Sequence, residues 1–192
     1  MNKSRIEAFS DGVMAIIITI MILEIKAPES STIASLLPLI PVFLSYVLSF
    51  IYIGIYWNNH HHMFQVVKKI DGSVLWYNTM LLFWLSLIPF ATSWIGGQSF
   101  STIPIACYGF ILLMCAISYT LLQNKIIKLE GNDSILHHAV EKDKKGKISL
   151  ACYISAIPLA FLSPVISEIL YIFVALIWIV PDKRIENQIN KT

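Results

Sequence analysis

The 192-residue chain is 56% hydrophobic and 14% charged, with a formal net charge of +2. Soluble domains carry about 25% charged residues, so the polar side chains here are too few to coat a globule of this size. A near-zero net charge excludes a basic nucleic-acid footprint. The charges that exist gather between long apolar runs, as in a protein that lives in a bilayer.

The first apolar run, residues 6–25, is long enough to cross a hydrocarbon core of about 30 Å at about 1.5 Å per residue. Lys3 and Arg5 ahead of it imitate a signal peptide, but Glu7 and Asp11 sit where such a peptide lacks acids, so it reads as a retained first helix. Lys26-Ala27-Pro28 ends it. The second run, 36–57, carries Pro38 and Pro41 near its start, where a missing N–H costs least. Residues 58–73 read as a polar connection holding His60, His61, His62, Lys68 and Lys69.

The third run, 74–95, should kink at Pro89, and Gly96-Gly97-Gln98 form a turn. The fourth, 103–122, leads into a charged stretch, 123–147, in which Asp133 or Ser134 could cap a short helix. The fifth and sixth runs, 148–162 and 164–180, are parted at Ser163-Pro164. Together they are too long for one crossing. The expectation is a single all-α membrane domain over residues 1–192 with six spans. Nothing in the chain reads as a soluble domain, an internal repeat or a low-complexity tail.

Orientation follows from the bias of Lys and Arg toward cytoplasmic loops. With both termini inside, Lys3, Arg5, Lys68, Lys69, Lys125, Lys128, Lys142, Lys144, Lys145, Lys147, Lys183, Arg184 and Lys191 are all cytoplasmic. Lys26 alone faces out. An odd number of spans would break this pattern.

Polar groups inside apolar runs are the informative residues, because each needs a partner or water. Arg5, Ser10 and Asp11 head the first helix, either as interfacial anchors or as a buried network. At 100° per residue, Ser10 and Asp11 lie about 120–140° from Ile16. Ile16, Thr19, Ile20 and Leu23 share one face. Their spacing cannot separate packing from function, because Ile17, Ile18, Met21 and Ile22 make the helix apolar all round.

His60-His61-His62 point about 100° apart and cannot chelate a metal as an i, i+4 pair could. They suit an interfacial hydrogen-bonding cluster with room for pH sensing. His137 and His138 read as solvated. Asn78, Ser86, Pro89, Phe90 and Thr92 suit interhelical hydrogen bonds and a proline kink. Cys107, Cys115 and Cys152 lie within apolar runs without ligand spacing and read as inert thiols. No nucleophile–base pair, phosphate loop or metal-ligand spacing points to an enzyme, and no cofactor is expected.

Arg5-Ile6-Glu7-Ala8-Phe9-Ser10-Asp11 matches R-x-x-x-F-S-D at the head of a first helix. With Asp11-Gly12-Val13-Met14-Ala15-Ile16, Trp57-Asn58-Asn59-His60-His61 and Leu87-Ile88-Pro89-Phe90-Ala91-Thr92, the chain resembles the transmembrane protein 175 family of potassium channels. Animal members carry two six-helix units. A single unit resembles the prokaryotic branch, in a plasma membrane.

The resemblance implies a homotetramer whose first helices line a central pore without a T-V-G-Y-G filter. It implies that Ile16 forms the main hydrophobic constriction, with Ile20 and Leu23 as further rings and Thr19 linked to ion preference. It further implies that Arg5, Phe9, Ser10 and Asp11, with Trp57, His60 or His61, and Asn78, hold the pore helix in place. The expected function is passive, potassium-preferring conduction, with potassium and the bilayer as partners. Isoleucine rings by themselves suggest gating by dewetting.

The alternative is a proton-coupled secondary transporter using Asp11 and the His60–His62 cluster, although inverted repeats are not evident. A third reading is a non-catalytic bundle that binds haem, quinone or a protein partner.

Overall fold

The computed structural model describes residues 3–98, 101–140 and 143–179. Val180, which ends the sixth expected span, lies outside the described residues, as do Lys142, Lys183, Arg184 and Lys191. Among the described residues there are eight α-helices. They are α1 (Lys3–Leu23), α2 (Ile40–Val66), α3 (Gly72–Ser86), α4 (Ile88–Gly97), α5 (Thr102–Glu130), α6 (Ile135–Val140), α7 (Lys144–Leu159) and α8 (Pro164–Ile179). A seven-residue 3-10 segment, Ile33–Leu39, leads into α2.

Among the described residues four helical stretches are long and apolar enough to cross a membrane: Lys3–Leu23, Ile33–Val66, Gly72–Gly97 and Thr102–Glu130. The apolar α8 is shorter, at 16 residues, and α7 has the same length.

Prolines set the breaks. Pro41 falls at the first positions of α2 and Pro89 at those of α4, where no intrahelical N–H bond is lost. The third expected run is therefore two helices that meet at Leu87, and the kink falls just ahead of Pro89. Pro164 opens α8 after the turn at residues 160–163.

Two boundaries differ from the sequence reading. The second helix continues nine residues past Trp57 to Val66, so His60, His61 and His62 stand on its last turns and not in a polar connection. The fourth continues to Glu130, making the first part of the charged stretch helical. The reason is geometric. At about 1.5 Å per residue, helices of 27 and 29 residues span about 40 Å or more, beyond a hydrocarbon core of about 30 Å. An apolar run marks membrane depth, and a helix can extend past it with polar turns.

The helix ends outside the core are tied by side chains. The Asp71 carboxylate accepts from Val74 N at 2.9 Å and caps α3, and it pairs with Lys125 Nζ of α5 at 2.9 Å. The capping bond and then the lysine hold this carboxyl below its ordinary pKa. Glu130 Oε1 accepts from the backbone N–H groups of Lys68 and Lys69, fastening the α2–α3 connection to the end of α5. Gly131, at φ 99°, closes α5 with its N–H on Ile127 O at 2.8 Å, a conformation that favours glycine. Ser134 Oγ accepts from His137 N at 3.3 Å and caps α6.

Packing places α5 at the centre, against α3, α4, α7 and α8, with α2 against α4 and α8. A buried tyrosine group joins these helices. Tyr52 OH donates to Tyr171 O at 2.6 Å, and Tyr171 OH donates to Ile105 O at 3.1 Å. Gly109 makes room for it, since a Cβ there would lie 2.0 Å from the Tyr171 hydroxyl oxygen. The first helix stands at the side of this bundle, on α2, α3 and α4.

Candidate functional site

The α1 helix is apolar nearly all round, yet it is packed on one side only. Ile6, Ser10, Met14, Ile17 and Met21 are buried. These recur every three or four residues and so form one face. The opposite face carries Arg5, Phe9, Gly12, Ile16, Thr19, Ile20 and Leu23, all exposed. On it Ile16 is 60% exposed, Ile20 43% and Leu23 74%. Thr19 Oγ1 donates to Ala15 O at 2.9 Å, so its lone pairs point away from the helix.

Two hydrogen-bonded branches hold the packed side at the N-terminal end. In the first, Asn78 Nδ2 of α3 donates to Ser10 Oγ at 3.0 Å, and Asn78 Oδ1 accepts from His60 Nε2 of α2 at 2.8 Å. All three residues are buried. A carbonyl oxygen cannot donate, so in this arrangement the His60 proton sits on Nε2. Its ring stacks on Phe64, one turn further on, with centroids 4.4 Å apart.

In the second branch, Trp57 Nε1 donates to Asp11 Oδ1 at 3.0 Å. Trp57 stacks on His61 with centroids 6.0 Å apart, and Gln65 Nε2 lies 2.9 Å from His61 Nε2. Trp57, His61 and Gln65 are spaced four apart and share a stripe of α2. Ser10 and Asp11 are consecutive, so they point about 100° apart and bind different neighbours, one on α3 and one on α2. Lys3 Nζ adds a bond to Gln65 O at 3.2 Å.

Ser10, Asn78 and His60 are thus brought into one chain, and Asp11, Trp57 and His61 into another. Asp11 is bonded to Trp57, which stacks on His61, and so lies on a different hydrogen-bonded branch from His60. Arg5 is exposed and makes no hydrogen bond or ion pair among the described residues, and Phe9 is exposed beside it. Among the described residues no group of three His, Cys, Asp or Glu side chains is placed to hold a metal ion.

Thr92, read from the sequence as a partner in interhelical hydrogen bonding, finds Ser49 and, through it, Tyr108, two partners that the sequence reading did not name. Thr92 Oγ1 of α4 lies 2.7 Å from both Ser49 Oγ of α2 and Ile88 O. Ser49 Oγ lies 2.9 Å from the Tyr108 hydroxyl of α5, joining three helices. Ser49, a lone hydroxyl within an apolar run, was the available signal.

The fold and these contacts define a multi-pass helical membrane protein with a first helix pinned on one face and open on the other. A family model for the endosomal/lysosomal potassium channel TMEM175 matches residues 5–89. A potassium channel of Chryseobacterium sp. (strain P1-3) is 56% identical over 191 residues, covering 100% of both chains. The human endosomal/lysosomal proton channel TMEM175 is 36% identical over 103 residues, which is 47% of this chain and 20% of the human one. The crystal structure of a lysosomal potassium-selective channel TMEM175 homolog from Chamaesiphon minutus superposes with a TM-score of 0.82 at 30% identity. That match covers 94% of this chain and 97% of the other. The chain belongs to the TMEM175 family, on its prokaryotic side. The family is one of ion channels and not of enzymes.

Proposed function

We propose that the chain is a potassium-preferring channel that conducts passively as a homotetramer in the plasma membrane of a prokaryote. In this reading it has six spans and both termini in the cytoplasm, and four α1 helices surround the pore. The observation that carries it is the exposed face of α1. Arg5, Gly12 and Thr19 share that face with Ile16 and Leu23, a mixture ill suited to lipid. The bacterial relatives named as potassium channels support the ion.

Ile16 is then the main constriction, with Ile20 and Leu23 about 6 Å and 10 Å further along at about 1.5 Å per residue. Rings of this kind close a pore by excluding water, and widening them lowers the barrier to a hydrated ion. The Thr19 hydroxyl gives its proton to its own helix, leaving an oxygen ring able to face a partly dehydrated cation. Ser10, Asn78 and His60 fix the rotation of α1, while Asp11 and Trp57 fix its tilt. Arg5 is assigned to the same network, as the family resemblance implies.

The test is potassium flux into liposomes carrying the purified protein, with sodium for comparison and valinomycin as the ceiling. Passive, potassium-preferring flux is expected, with the potassium-to-sodium ratio reduced in Thr19→Val. Flux that saturates and requires a proton gradient would transfer the function to a transporter.

A further inference from the structure

Away from α1, a cavity of about 60 Å³, measured as room for the centres of water molecules, lies between α2, α5, α7 and the end of α8. One water needs about 10–15 Å³ on that measure, so the space exceeds a single solvent site. Its body is aromatic, with Tyr52, Tyr56, Tyr153 and Trp178 among its walls. At its polar end is Gln123 of α5, which is only 8% exposed.

The Gln123 amide makes no hydrogen bond among the described residues, and neither does the Tyr56 hydroxyl, yet both residues line the cavity. Neither group is a fully enclosed unpaired atom, a state that among the described residues only Ser118 Oγ shows, so both open onto the cavity space. Here a donor–acceptor amide and a phenol stand unused at the edge of an aromatic pocket. That combination suits a ligand with one ring and one hydrogen-bonding group.

Charge narrows the ligand class. No Lys or Arg lines the cavity among the described residues, so an anion would go uncompensated. The lining carboxylate, Asp143, accepts from Gly146 N at 3.0 Å as the cap of α7, and Lys144, Lys145 and Lys147 follow it in sequence. A buried organic cation would compete with that cap for the carboxylate. A neutral ligand meets neither penalty.

We propose that this cavity binds a neutral single-ring aromatic molecule carrying one hydrogen-bonding group, of the phenol or aromatic-amide type. The ring lies among the tyrosines and Trp178, and the polar group pairs with the Gln123 amide and the Tyr56 hydroxyl. The site lies behind the helix that holds α1. Asn59, which also lines it, accepts from Tyr119 OH at 3.1 Å through its carbonyl and is the neighbour of His60. Occupancy would wedge α2 against α5 one residue from the network that orients α1.

The experiment is a fluorine NMR titration of para-fluorophenol with the purified full-length protein in micelles, with empty micelles setting the partition background. Saturable broadening with one site per subunit is expected for the wild type. Gln123→Leu, nearly isosteric, should weaken it about three- to tenfold, the range for one net hydrogen bond. Its melting temperature should stay close to wild type, because no hydrogen bond among the described residues is removed. Ala116→Phe, which fills the cavity from α5, should abolish binding. Broadening no greater than in empty micelles would overturn the proposal. So would binding unaffected by both variants, or saturable binding of tetramethylammonium in place of the phenol. None of these readouts depends on ion flux, so the site and the channel reading can fail separately.

Discussion

The two faces of α1 are almost equally apolar and fare differently. Met14 and Ile17 are 2% and 3% exposed against α2, α3 and α4, while Ile16, between them, is 60% exposed. The buried face also carries Ser10, whose hydroxyl accepts a hydrogen bond from Asn78. The open face carries a threonine whose hydroxyl proton is spent on its own helix. Residues that build the subunit and residues free to meet an ion or another subunit therefore alternate along one helix, and hydropathy does not distinguish them. Partners do.

The largest expected effect comes from the pair Met14→Ala and Ile16→Ala. Truncating the buried Met14 should cost about 2–5 kcal/mol, whereas Ile16→Ala should leave subunit stability nearly unchanged. Thermal unfolding in detergent measures both. Equal losses would erase the contrast between the faces.

Asn78→Leu sharpens the account of the packed side. It removes two hydrogen bonds and leaves the Ser10 hydroxyl and the His60 ring buried without that partner, at a cost of about 1–3 kcal/mol. Asn78→Asp should recover part of the loss, which would separate hydrogen bonding from packing volume. On the open face, Ile16→Ala should raise potassium flux about tenfold, equivalent to about 1.4 kcal/mol off the barrier. Unchanged flux in liposomes would mean that Ile16 is not the constriction.

The smallest effect should lie far from α1, at Asp71. Its carboxyl is held below its ordinary pKa by the Val74 N–H and Lys125. A depressed folded-state value means a contribution present above the unfolded value of about 3.9 and lost as pH falls through the folded one. Unfolding midpoints of wild type and Asp71→Asn should therefore differ slightly at neutral pH and converge in acid below about pH 4. Convergence on the alkaline side would contradict the assignment.

Much of this was legible in the chain. Proline marked the break at Ser163-Pro164 and the bend near Pro89, because a lost N–H and a ring clash act locally. Ser10 and Asn78 stood out as polar groups needing partners within apolar runs, His60 as part of an interfacial cluster, and the family resemblance grouped the three. The open face of α1 was not legible from periodicity, since Ile16, Ile17 and Ile18 are one residue type on three sides of a helix.

The helices α2 and α5 outrun the apolar runs because polar residues such as Asn58 and Gln123 stop a hydrophobic run without stopping a helix. The tyrosine group and the Gln123 cavity depend on contacts between residues over a hundred positions apart. No local pattern encodes those.

The most direct measurement of the central claim is thiol modification of Ile16→Cys under potassium flux. A water-soluble, positively charged methanethiosulfonate reagent is added, with the wild type controlling for its own three cysteines. Trp76→Cys, at a site 77% exposed on α3, serves as the outward-facing comparison. If α1 lines an aqueous pore, the reagent blocks flux through Ile16→Cys and leaves the wild type and Trp76→Cys conducting. Flux through Ile16→Cys that persists after treatment, with the thiol shown unreacted by mass spectrometry, would put the open face of α1 against lipid and contradict the account.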